Sequence, residues 1–286
     1  MSRKFAGKSR GEKRSRTASG RHSAREAVAA SAPGFERLRR LTHVWLGPVV
    51  IAVAGIAALA WTWRTWPDVL VDFGRELYVP WRLAAGQVLY RDVAYFNGPL
   101  SPYWNSFWFR LFGVSFTTLI VSNLLCVAAL TAMLYAILRE IGSTLSATIA
   151  CVVFVLLFAF GNLVPNGNYN FMAPYSHDLT HGLLLAVAAL FCLLRYHARR
   201  QVIWIAAMGL TVGLMFLTKL EVVLAGGASA VTGLALTLWA ERPGARRLRN
   251  IAGAFLGAAA VPVVTTAILF SLAMPLATVW RFSLGH

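Results

Sequence analysis

Thr117-Thr-Leu-Ile-Val-Ser-Asn-Leu-Leu-Cys-Val-Ala-Ala-Leu-Thr-Ala-Met-Leu-Tyr-Ala-Ile-Leu138 contains no charged residue. As a helix rising about 1.5 Å per residue it would cross a hydrocarbon core of about 30 Å. Working outward, similar apolar runs recur. They lie at about Val44–Trp63, Leu145–Val164, Leu179–Tyr196, Val202–Leu217, Val222–Trp239 and Ile251–Ala273. Seven runs in 286 residues predict an all-α, polytopic transmembrane helix bundle of about seven spans, the fifth being the shortest. Composition agrees: 58% of residues are hydrophobic, 13% are charged and the mean hydropathy is +0.61. A soluble globule carries about twice that share of charge. Three cysteines, each inside a different apolar run, exclude a disulfide scaffold and read as small packing residues.

Charge sets the expected orientation. Residues 1–40 hold 12 basic and 3 acidic residues, a net of +9. They are poor in large apolar side chains and read as a disordered basic cytoplasmic tail, with a short helix over Ala24–Ala30. The apolar run starts too late for a signal peptide. The rest, 41–286, reads as one transmembrane domain with a long outer loop at 64–116. The intervening short loops carry Arg139; Arg199 and Arg200; and Arg242, Arg246, Arg247 and Arg249. All fall on the side of the tail, which predicts a cytoplasmic N-terminus in a plasma (inner) membrane. The tail's charge suits anionic lipid. No aromatic or base-reading element accompanies it, so nucleic acid is not an expected partner.

This topology collects Asp68, Asp72, Glu76, Asp92, Asp178 and Glu221 on the outer side, with His177, His181 and Lys219. A convergent cluster of ionisable groups near a membrane points to a site; the alternative is that these acids simply decorate outer loops. Asp72 and Glu76 are four apart and would share one helix face. That spacing suits a general base beside a metal ligand, or neutralisation by Arg75 and Arg82. Pro80 is expected to interrupt this helix, and Gly86 to cap it. Asn97-Gly98-Pro99 signals a turn. Tyr103-Trp-Asn-Ser-Phe-Trp-Phe109 reads as an interfacial helix on the outer leaflet. Trp61, Trp63 and Trp66 read as an interface belt. The Asn-rich run Gly161–Asn170 is a turn-rich outer loop whose amides could meet sugar hydroxyls.

His177-Asp-Leu-Thr-His181 places two histidines one helical turn apart. The spacing can hold zinc, yet no third ligand is evident. The competing reading is a helix start with Ser176 as N-cap and Asp178 favoured by the dipole. A role at the mouth of a phosphate or metal site is a further reading of the same pair. The Gly/Ala-rich sixth and seventh runs, with Gly226-Gly227, read as close helix packing.

Several patches carry a family resemblance. Asp72-x-Gly-x-Glu-Leu-Tyr, Gly86-x-x-Leu-Tyr-Arg-Asp92, Asn97-Gly-Pro-Leu-x-x-Tyr-Trp and Leu111-Phe-Gly113 together resemble the first outer loop of GT-C type glycosyltransferases. The nearest branch is that of the dolichyl-phosphate-mannose protein mannosyltransferases and the lipid A aminoarabinose transferase. Pro174-Tyr175-Ser176 and Phe216-Leu-Thr-Lys-Leu-Glu221 look like the same branch. The resemblance covers about residues 45–225. It implies a hexosyl or pentosyl transferase that takes a sugar from a polyprenyl-phosphate donor at the outer face. The acceptor would be a glycan, lipid or protein. It implies Asp72 as catalytic base, sometimes with a divalent metal (Mg or Mn). Asp72, Glu76 and His177 are the metal candidates. Glu76, Arg75, Arg82, Arg91, Asp92, His177, Lys219 and Glu221 are the substrate-binding candidates, with Lys219 holding the donor phosphate and the arginines competing for it. Relatives are commonly longer, which predicts a chain truncated at its C-terminal side. The rival reading is a non-catalytic membrane protein: a transporter or flippase of a lipid-linked precursor, or an assembly partner.

Overall fold

The structure is a computed structural model that describes residues 45–67, 73–161 and 169–283. The basic tail, with its expected helix over 24–30, lies outside the described residues, as do Asp68, Asp72 and most of the Asn-rich loop. Helix is the dominant structure. In order come α1 (Trp45–Trp61), α2 (Phe73–Ala84), α3 (Leu100–Phe112), α4 (Phe116–Ile141) and α5 (Thr144–Val153). α5 continues through a π-helical turn, Phe154–Ala159. Then follow α6 (His177–Arg199), α7 (Val202–Met215), α8 (Leu220–Glu241), α9 (Ala245–Ser271) and α10 (Leu276–Ser283). Among the described residues the one β-bridge is isolated, between Leu89 and Val93. The chain divides into a unit ending at Val50 and a unit from Ile51 to His286; all that follows concerns the second.

The all-α membrane bundle holds. α4, α6, α8 and α9 are long and apolar enough to cross a membrane. Three further apolar helices coincide with expected runs but are shorter: α1, the segment Thr144–Ala159, and α7. α7, with 14 residues, reaches only about 21 Å. Its brevity follows from Phe216–Lys219, where the chain leaves the helix before α8.

Small residues bring the helices together. On α7, Gly209 and Gly213 lie one turn apart, and a Cβ on either would strike the α9 backbone at Phe255 or Ala259. On α8, Gly226 faces Ala186 of α6 and Met215 of α7. Gly182 of α6 likewise faces Val222 of α8. With lipid on the outside, such close approach replaces the hydrophobic effect as the source of association. Ile205, Met208, Met215, Tyr196 and Ile251 fill the core between these helices. α9 buries little else; Leu256, Val261, Val264, Ile268 and Leu269 are exposed along it, a surface suited to lipid.

The segment 64–116 departs from expectation in three places. Pro80 lies inside α2 and does not end it. Its ring lies on the buried face with Phe73, Val79 and Leu83, so packing compensates the one backbone hydrogen bond it removes. The helix stops later, and Gly86 (φ 94°) donates its N–H to Leu83 as the sequence predicts. α3 forms over the aromatic run, but it turns its polar side inward. Ser101, Asn105 and Ser106 are buried, while Phe107, Leu111 and Phe112 are exposed. Arg110 on α3 donates to the Leu83 carbonyl, tying α3 to the end of α2 (2.6 Å). Finally, Trp66 is not part of an exposed belt. It is fully buried beside Phe160, with its indole N–H on Thr62 (3.0 Å), whereas Trp61 and Trp63 are exposed.

Candidate active site

α2, α4 and α6 meet at one end of the bundle. Glu76, on the inward face of α2, is buried against the first turn of α6. Its Oε2 accepts from the His177 backbone N–H (3.0 Å) and from His177 Nδ1 (2.7 Å). Asn123 of α4 donates its amide to His177 Nε2 (3.1 Å) and to the Met172 carbonyl (3.0 Å). Because the Asn123 nitrogen can only donate, His177 Nε2 accepts and Nδ1 carries the hydrogen. Arg75 contacts Glu76 Oε1 (3.3 Å) and donates to the Tyr175 carbonyl (3.2 Å). Burial acts to raise the Glu76 carboxyl; the hydrogen bonds from His177 and the charge of Arg75 outweigh it and hold the group below its ordinary value.

A second buried pair lies beside the first. Tyr95 donates its phenol to Asp178, the next residue of α6. Burial, followed by the Asp178 charge, pushes the Tyr95 phenol well above its ordinary value, so it stays a donor. One turn along α6, His181 Nδ1 meets Ser101 of α3 (3.0 Å), and its ring lies edge-on to Trp104. Ser176 stands at the N-cap as predicted, but its side chain makes no capping bond. Glu76 instead takes the His177 N–H, one of the first-turn donors that have no intrahelical partner.

The turn at Asn97-Gly98-Pro99 reaches the break between α7 and α8. Gly98 donates its N–H to the Thr218 carbonyl (2.6 Å) and Leu100 to that of Leu217 (2.9 Å). Tyr90 holds the turn from the other side, its hydroxyl donating to the Asn97 carbonyl (2.6 Å). Glycine is required at 98, because a Cβ there would overlap the Leu217 and Thr218 backbone. Lys219 is the next residue, 3.7 Å from the exposed Glu221. A cavity of about 510 Å³ opens alongside, lined by Pro99, Leu100, Tyr103, Leu217, Leu269 and Phe270 among others.

The structure thus joins Glu76, Arg75 and His177 in one cluster, with Asp178 adjoining. It separates the other sequence candidates. Arg82 donates to Gln87 (2.6 Å) and lies over the Tyr78 ring, so it does not neutralise Glu76. Arg91 and Asp92 pair with each other at the surface (2.9 Å); Arg91, and then the Val88 N–H, lower the Asp92 carboxyl to about 2. Asp72 directly precedes α2 in sequence and lies outside the described residues. Glu76 and His177 do not fit a divalent metal: both ring nitrogens of His177 are engaged, and Arg75 and His177 already satisfy the carboxylate. Among the described residues no three His, Cys, Asp or Glu side chains converge as a ligand set. Sequence reasoning missed Asn123, Tyr95 and Ser101. Asn123 had a signal, as the one carboxamide in the 22-residue run that opened the reading.

The chain is a helical membrane bundle with a buried polar cluster at one end and, beside the break between α7 and α8, an apolar cavity close in sequence to Lys219. The family model described as dolichyl-phosphate-mannose-protein mannosyltransferase matches residues 97–270, well over half of the chain. The chain belongs to that family, which makes it a membrane glycosyltransferase of the GT-C type. His177, Lys219 and Glu221 fall inside the match; Asp72, Arg75, Glu76, Arg82, Arg91 and Asp92 precede it. Neither the comparison with curated proteins nor that with solved structures found a match.

Proposed function

We propose that the chain moves a sugar from a polyprenyl-phosphate donor to a glycan, lipid or protein acceptor at the outer face of the plasma membrane. In this reading its N-terminus is cytoplasmic. The observation that carries the proposal is the apolar cavity whose wall residue Leu217 lies two positions before Lys219. A polyprenyl phosphate needs that combination: an apolar trough for the chain and a cation for the head.

Asp72 is the proposed base. It takes the proton from the acceptor hydroxyl as that oxygen attacks the anomeric carbon. The bond from that carbon to the phosphate oxygen breaks, and the phosphate leaves with the bonding pair, its charge met by Lys219. A single displacement inverts the anomeric centre. Arg75, Glu76 and His177 act by fixing the start of α6 against α2, the helix that follows Asp72 in sequence. Arg82, Arg91, Asp92 and Glu221 are assigned to the outer surface around this site. A divalent metal would have to be held by Asp72 with partners other than Glu76 and His177.

The test is a transfer assay in membranes containing the chain. A polyprenyl-phosphate-linked sugar is compared with the same sugar on a nucleotide. Turnover from the polyprenyl donor alone supports the reading. Turnover from the nucleotide donor, or from neither in well-folded protein, contradicts it.

A further inference from the structure

At the end of the bundle opposite the candidate site, Arg195 sits one turn inside the end of α6. It is half-buried, with its guanidinium over two aromatic rings: Trp204 of α7 at 5.6 Å and Phe191 of its own helix at 5.9 Å. Phe191, Arg195 and Arg199 follow at intervals of four and form one stripe of α6. Among the described residues no carboxylate pairs with Arg195 or Arg199, and their guanidinium groups make no hydrogen bond. Glu241, the acid that closes α8, is already taken by Arg200, Arg247 and the Tyr196 hydroxyl.

Two like charges one turn apart repel, and a half-buried guanidinium on a membrane helix is costly unless an anion meets it. The rings fix the plane of Arg195 by cation–π contact and leave its five N–H donors unspent. Those donors match the paired oxygens of a phosphate. The site lies one turn from the end of a helix long and apolar enough to cross a membrane, where a side chain of this length would reach the headgroup layer. We propose that Arg195, seated on Trp204 and Phe191 and supported by Arg199, binds the phosphate of an anionic phospholipid headgroup. This assignment is independent of the transfer reaction.

The test uses the full chain in uncharged detergent, titrated with phosphatidylglycerol and with phosphatidylcholine of equal acyl length. Bound lipid is counted by native mass spectrometry. The wild type should prefer phosphatidylglycerol. Arg195→Gln should weaken that binding about tenfold or more, the loss of charge-assisted hydrogen bonds. Arg195→Lys, which keeps the charge but not the fork, should fall between; it also serves if the glutamine variant does not fold. Arg246→Gln, on the exposed start of α9, should leave binding unchanged. Equal binding of the two lipids, or unchanged phosphatidylglycerol binding in both Arg195 variants, would overturn the proposal. Competition by millimolar inorganic phosphate would assign the site to a free anion and overturn the lipid assignment.

Discussion

The carboxylate of Glu76 takes both the backbone N–H and the ring Nδ1 of His177, at 3.0 and 2.7 Å. One side chain of α2 thus fixes both the start of α6 and the orientation of its first ring. Burying a carboxylate is a poor source of net stability, because its desolvation offsets the hydrogen bonds it gains. Its geometric effect is large, since His177 also receives Asn123 from α4. Three helices are brought to one point.

Glu76→Gln should loosen that point. The amide keeps one acceptor oxygen but turns an NH₂ toward donors of His177 or Arg75. A loss of about 2 kcal/mol is expected, from hydrogen bonds to a charged group. For a chain of this size that is roughly a 4–8 °C lower midpoint in a thermal melt. A double-mutant cycle with His177→Ala should show coupling; additive effects would mean the pair is structurally idle.

Acid should act on the same contact. The folded-state value of Glu76 lies below its ordinary value of 4.5, so its stabilisation is fully present above about pH 4.5. It is lost as the pH falls through the lowered folded value. Thermal midpoints of wild type and Glu76→Gln should therefore differ at neutral pH and converge in acid. A gap that widens on acidification would reverse the sign and contradict the assignment.

Gly98→Ala should detach the turn from Leu217 and Thr218 without touching the core. Lys219 follows those residues directly, so the variant is expected to raise the KM for the polyprenyl donor. A displacement of about 1 Å at such a site costs on the order of ten- to a hundredfold. Kinetics at varied donor concentration would show it; an unchanged KM would remove the turn from donor positioning.

Tyr95→Phe takes away the donor to Asp178 and leaves that carboxylate buried. A loss of about 1–3 kcal/mol is expected, as for any buried group stripped of its partner. Chemical unfolding in detergent would measure it, and a neutral result would show that another group satisfies Asp178.

Much of this architecture was legible in the chain. Uncharged runs located the helices, since a membrane core leaves no alternative to internally bonded backbone. Gly86 and the Asn97–Pro99 turn announced themselves by residue type. The pairing of Glu76 with His177 was not legible, because 101 positions separate them and only the packed fold closes that gap. Pro80 misled for a related reason: its local penalty is visible in sequence, while the buried face that compensates it is not. The aromatic run at 103–109 forms a helix as expected, yet its buried polar side needed the seat opposite His181 to be seen.

As the proposed base of a polyprenyl-phosphate-dependent transfer, Asp72 must be ionised and in place for every turnover. The direct measurement is initial transfer rate in membranes for wild type, Asp72→Asn and Asp68→Asn at equal expression. The account predicts that Asp72→Asn abolishes transfer, with insertion and thermal midpoint unchanged, while Asp68→Asn retains it. Near-normal transfer by Asp72→Asn would contradict the account.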